Sequence, residues 1–293
     1  MPAFAHTPYD GSKQPFSIGL APLDPATWIE PDDRLADYLG YKARLFAGSR
    51  DAVFAAEAGT EASQAEVLDA IVADVLGRQP GTYRRTAAGI AVDSAGLDVP
   101  LGGSEPPLLT AARLVAEDLV IMRRTDAGWR LVAAALCFPS SWSLKEKYGR
   151  TMEEIHAPVP GYPKMAERMN RIFDSLRVEI PVWRLNWSLY PDDDLHHPEP
   201  KQLPRGWFEQ PGSDLFVRVE RQTLRRMPES GDILFTIKVM VDPVAAFSAH
   251  PDGPALAAGL RKQLLALDPD QLAYKSLTNH RDVMADRLAT LAS

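Results

Sequence analysis

Apolar residues recur at helical spacing in two early stretches, with Leu35, Tyr38, Leu39 and Leu45 in 32–46 and Val67, Leu68, Ile71, Val72 and Leu76 in 64–76. Both patterns predict amphipathic helices. A Gly/Pro-rich stretch follows, then a helical segment over 108–116, then two strand-like apolar runs, 119–124 and 129–138, around Thr125-Asp-Ala-Gly128 that predict a β-hairpin. Residues 141–149 predict a short helix stopped by Gly149, and 164–177 a longer one. Three strands rich in β-branched and aromatic residues come next, at 178–190, 215–223 and 233–241. Beyond Pro243 the pattern turns helical again, over 256–267 and 270–291. Consecutive strands with short connections favour antiparallel pairing, so the expected fold class is α+β with helices packed on one face of a sheet. Residues 1–30, with five prolines, read as an extended arm, and 243–293 as a helical extension of the same single domain.

Composition narrows the function classes. The 293 residues are 45% hydrophobic and 24% charged, which is enough to build a full core. Asp and Glu outnumber Lys and Arg by 39 to 32, so a broad nucleic-acid-binding surface is not expected. Cys137 is the lone cysteine and excludes an internal disulfide, a four-cysteine zinc site and a self-contained iron–sulfur cluster. No apolar run approaches bilayer length and the first residues lack a signal-peptide pattern, so a soluble cytoplasmic chain is expected. The 25 prolines gather in connections such as 100–107 and 191–211. Dinucleotide, P-loop, nucleophile-elbow and zinc-protease motifs do not occur.

Among the six histidines, His156 stands out. Two prolines stiffen the loop Ile155-His-Ala-Pro-Val-Pro-Gly161 after a short helix, and Gly161 permits a sharp turn. An imidazole held so suits a metal or heme ligand, and equally a structural histidine capping the loop. His196 and His197 follow an acidic run and read as part of a solvated loop, and Cys137 as a small buried hydrophobe. Period two along 215–223 puts Val217, Val219, Arg221 and Thr223 on one face, and Phe216, Arg218, Glu220 and Gln222 on the other. An arginine there either serves a pocket or belongs to an ion-pair ladder. Along 178–190 an apolar stripe, Trp183, Leu185, Trp187 and Leu189, alternates with a polar one, Arg184, Asn186, Ser188 and Tyr190. The polar stripe lines a cavity or faces solvent, and alternation alone does not choose.

Three ordered blocks between 141 and 241 carry a resemblance. Trp142-Ser-Leu-Lys-Glu-Lys-Tyr-Gly149 with Ile155-His-Ala-Pro-Val-Pro-Gly161, then Arg184-Leu-Asn-Trp187, then Arg218-Val-Glu-Arg-Gln-Thr-Leu224 with Pro228-Glu-Ser-Gly231 and Phe235-Thr-Ile237, together resemble the α subunit of heme-dependent oxidative N-demethylase. The resemblance implies a PAS-like antiparallel sheet with helices packed around a heme b cavity. It implies oxidation of a small secondary amine such as dimethylamine by dioxygen, a monooxygenase-type reaction giving a primary amine and formaldehyde. Electrons would come from NADPH through a partner reductase subunit carrying FMN and a 2Fe-2S cluster. His156 matches the family's histidine block and is the implied iron ligand. Arg221 is the leading distal residue, polarising bound dioxygen or anchoring a propionate. Arg184 and Arg218 are further propionate candidates, and Glu220 or Tyr190 is expected to hold the substrate's ammonium group, through charge or a hydroxyl. The alternative is a heme-binding gas or redox sensor without turnover.

Overall fold

The computed structural model describes residues 3–12, 15–201, 206–209 and 214–292, so part of the predicted connection 191–211 lies outside the described residues. Ten strands occur among them: β1 (Ala21–Pro22), β2 (Phe54–Ala56), β3 (Tyr83–Arg85), β4 (Gly89–Val92), β5 (Leu97–Pro100), β6 (Asp118–Thr125), β7 (Gly128–Ala135), β8 (Val182–Tyr190), β9 (Phe216–Arg226) and β10 (Ile233–Pro243). Seven of them form one antiparallel sheet in the order β1-β8-β9-β10-β6-β7-β2, and β3-β4-β5 form a separate small sheet. The small sheet falls in the stretch whose glycines and prolines suggested only a connection, because each of its strands is too short to show a period.

The helices are α1 (Leu35–Gly48), α2 (Arg50–Val53), α3 (Glu61–Arg78), α4 (Pro107–Ala112), α5 (Leu144–Lys147), α6 (Met152–His156), α7 (Ala166–Ser175), α8 (Gly253–Leu265), α9 (Pro269–Tyr274) and α10 (Arg281–Leu291). Both faces of the large sheet are covered, against the expectation of helices on one face. Residues of α6 and α7 stand over the face that carries Leu224, Phe235 and Ile237. On the other face Val217, Val219 and Met240 pack with Leu256, Leu260, Met284 and Leu288 of α8 and α10. β6, β7 and β10 are buried along most of their length for this reason.

Three boundaries depart from the sequence pattern, each for a local reason. The strand from 178 starts only at Val182, past Pro181. The hairpin's second strand ends at Ala135 rather than Phe138, because the buried Asp118 carboxylate accepts the backbone N–H groups of Cys137 at 2.8 Å and Phe138 at 2.7 Å and draws them off the ladder. The single helix expected over 270–291 breaks into α9 and α10, with Ser276 in the left-handed region at φ 56° and Leu277 N–H returning to the Leu272 carbonyl. That break matters for the site, since it turns Lys275 inward.

Candidate functional site

A cavity of about 470 Å³ lies between the α5–α7 region and the β8–β9–β10–β6 wall. Its apolar end is built from Val120, Met122, Ile155, Met169, Phe173 and Leu224, and its polar end from Ser140, Tyr190, Lys201, Glu220 and Lys275. The arm supplies part of the wall through Phe16 to Leu20 before β1 joins the edge of β8 at Val182 and Trp183.

His156 closes α6 and borders the cavity. A capping box between Thr151 and Glu154 starts this short helix, and Lys147 donates to the Ile155 carbonyl at 2.7 Å in its last turn. The imidazole Nδ1 lies 2.8 Å from the Met152 carbonyl oxygen, and the ring stacks on Tyr162 with centroids 4.9 Å apart. A carbonyl only accepts, so Nδ1 carries the proton and Nε2 keeps its lone pair. Burial, with the nearby Lys147 and Arg184 charges, lowers the pKa of His156 and outweighs the opposing Met152 hydrogen bond. Neutral imidazole with a fixed tautomer is the state that ligates iron. Gly161, at φ +75°, makes the turn that brings Tyr162 under the ring.

The alternating residues of β8 and β9 then divide as the sequence predicts, and the structure chooses the face. Arg184, Asn186, Ser188 and Tyr190 line the cavity opposite Gln222, Glu220 and Arg218. Glu220 receives hydrogen bonds from Ser140 Oγ, Gln222 Nε2 at 2.7 Å and Asn186 Nδ2 at 3.4 Å. Tyr190 shares a 2.8 Å hydrogen bond with Ser141 Oγ, and Ser141 is held at φ 66°. Burial lowers the pKa of Arg184, with Glu220 opposing, and its Nε has no hydrogen-bond acceptor among the described residues.

Arg221 and Arg218 correct the sequence-based picture. Arg221 does not reach the cavity: it lies on the opposite face, pairs with Glu30 at 3.0 Å and donates to the carbonyls of Thr27 and Trp28. Arg218 borders the cavity, but its guanidinium is occupied. Its Nε donates to Ser140 Oγ at 2.9 Å, and its terminal nitrogens to the carbonyls of Phe138, Pro139, Asp194 and Leu195. Such an arginine shapes the wall and has no fork left for a carboxylate. His196 and His197 bond elsewhere, to the Cys137 carbonyl and Asp192, and no metal-binding cluster of His, Cys, Asp and Glu occurs among the described residues. Lys201 and Lys275 are site residues that sequence patterning missed.

No helix among the described residues is long and apolar enough to cross a membrane. The donor set tests directly for a heme: one neutral imidazole on an apolar cavity wall, with a half-buried arginine whose buried Nε lacks an acceptor, fits an iron porphyrin bearing carboxylates. The family model described as "Haem-dependent oxidative N-demethylase, alpha subunit-like" matches residues 19–285, a span that includes the His156 loop, both cavity strands and Lys275. With its ordered blocks and its histidine-bearing cavity inside that match, the chain belongs to the heme-dependent oxidative N-demethylase α subunit-like family.

Proposed function

We propose that the cavity holds heme b through His156 and oxidatively N-demethylates a small secondary amine of the dimethylamine class. The observation that carries this reading is the His156 imidazole, half-buried at the cavity wall, neutral and locked by Met152 with its Nε2 lone pair free. The heme, when bound, supplies redox activation of dioxygen, with electrons delivered from NADPH by a separate FMN and iron–sulfur reductase subunit. The chain's own residues bind, orient and enclose. Arg184 offers its guanidinium to a cofactor carboxylate in a site where burial strengthens charge-assisted hydrogen bonds. Glu220, fixed by Ser140, Asn186 and Gln222, holds the substrate's ammonium group, and the Tyr190 hydroxyl bounds the same polar end. Arg218 keeps Ser140 and the 138–140 segment in place. In this reading the sheet is a PAS-like core within a single catalytic domain.

The test is an absorption titration of the purified chain with hemin, oxidised and reduced, with and without dimethylamine. A stoichiometric Soret band that moves when dimethylamine is added is the expected result. A Soret band retained unchanged after His156→Ala overturns the ligand, and a band indifferent to small amines overturns the substrate. The acidic side chain at Glu220 favours the enzyme over a gas sensor, because an ammonium group gives it a partner and a diatomic ligand does not.

A further inference from the structure

Two lysines, the half-buried Lys201 and the buried Lys275, occupy the polar end of the cavity with no role in the reading above. Lys42 and Lys238 are the buried lysines that form ion pairs, with Asp118 and Asp32; Lys201 and Lys275 form none among the described residues. Both instead cap carbonyls on the edge of β8, beyond the two residues that β1 covers. Lys201 Nζ donates to Ser188 Oγ at 3.0 Å and to the Leu189 carbonyl at 2.9 Å. Lys275 Nζ donates to the Trp187 carbonyl and sits 5.1 Å from the Trp187 ring centroid and 5.2 Å from that of Phe16. Lys275 is 7% exposed, and the space it faces is the cavity.

We propose that Lys275 is an amine nucleophile that captures formaldehyde inside the cavity as a Schiff base. This rests on the demethylation reading only for the origin of the aldehyde. A lysine becomes a nucleophile near neutral pH when it is desolvated or set beside other cations, and Lys275 meets both conditions. Burial and the Arg184 charge push its pKa down to about 8, although Glu220 acts in the opposite direction. Burial, with the Lys275 and Arg218 charges, also holds the Lys201 amine well below its ordinary value. In the capture step the free Nζ electron pair attacks the carbonyl carbon, a C–N bond forms, and the carbonyl π pair becomes a hydroxyl after proton transfer from nitrogen. Loss of water leaves the methylene imine, and adding water reverses the step. Nothing is oxidised or reduced, so no co-reactant is required, and the cavity retains the one-carbon unit until an acceptor removes it.

The experiment treats the full-length chain with limiting formaldehyde and cyanoborohydride at several pH values and locates methyl groups by peptide mass spectrometry. Lys275 is expected to methylate at least about tenfold faster than the exposed Lys145 and Lys262, with a rate midpoint near pH 8. Lys275→Arg, which keeps a cation at the Trp187 carbonyl, is expected to remove that fast phase while leaving thermal stability and hemin uptake unchanged. Labelling at Lys275 no faster than at Lys145, or a fast phase carried by Lys201 instead, overturns the assignment. Fast labelling in a chain that takes up no hemin keeps the nucleophile and removes only the source of its aldehyde. Slow labelling in a chain that binds hemin and turns over amine removes the nucleophile and leaves the demethylase intact.

Discussion

The two faces of β9 carry arginines three residues apart and use them in opposite ways. On the outer face Arg221 meets a carboxylate, Glu30, which itself accepts from His6 at 2.9 Å, while the adjacent Lys238 pairs with Asp32 at 3.0 Å. On the cavity face Arg218 meets carbonyl oxygens and a serine hydroxyl, Arg184 keeps an unused donor, and two lysines stand without ion pairs among the described residues. The outer face is charge-matched and joins the arm to the sheet. The inner face carries more cationic groups than its two lining carboxylates, Glu146 and Glu220, match. One strand thus separates a charge-matched face from a face that lines the cavity.

Four perturbations sharpen this division, beginning with the largest. Removing the imidazole in His156→Ala is expected to weaken hemin binding by at least about a hundredfold, with urea unfolding nearly unchanged, as Soret titration and denaturation together would measure. Arg221→Met reverses the pattern: it leaves Glu30 with His6 alone as its close partner and the Thr27 and Trp28 carbonyls without their donor, and is expected to cost about 3–5 kcal/mol of stability while hemin affinity is retained. A hemin affinity that falls with Arg221→Met at full stability would break the division outright. Glu220→Gln is expected to raise the amine dissociation constant about tenfold, measured from the amine-induced Soret shift, with stability almost unaltered.

The smallest effect is in the pH dependence of stability. Burial raises the pKa of Glu30, but the His6 hydrogen bond and the Arg221, His6 and Lys238 charges outweigh it and leave it lowered. Its contribution is present above the ordinary value of 4.5 and is lost as pH falls through the lower folded value. His156, also lowered, acts earlier. Below its ordinary 6.5 the unfolded chain takes up the proton first, so stability declines on acidification from there, and His156→Gln removes this slope. Urea titrations of wild type, Glu30→Gln and His156→Gln across pH 3–8 are expected to assign the upper slope to the cavity and the lower slope to the outer face.

Local regularities made much of this legible in the sequence. Alternation sorted β8 and β9 into their correct faces, and the proline-stiffened loop singled out His156, because both depend on residues near one another in the chain. Alternation does not say which face is enclosed, and Arg221 went to the wrong side for that reason: its partner Glu30 lies in the arm, far from β9 in sequence. The lysines were hidden more deeply. Lys275 follows a helix whose apolar pattern runs on past it, and only the left-handed turn at Ser276, set by tertiary packing, directs it to the open edge of β8. Arg218 looked like a ligand-binding fork until the folded 138–140 and 194–195 segments presented it with carbonyls.

Phe16 and Lys275 sit against each other in the cavity wall although they come from near opposite ends of the chain. During synthesis the wall is incomplete until α9 has emerged, when the β-hairpin and the His156 loop have long been made. Contacts of such sequence separation form late, because closing so long a loop must precede any gain from the contact. The nascent chain therefore presents the His156 imidazole in an open trough, and the cavity wall is completed among the last events of folding.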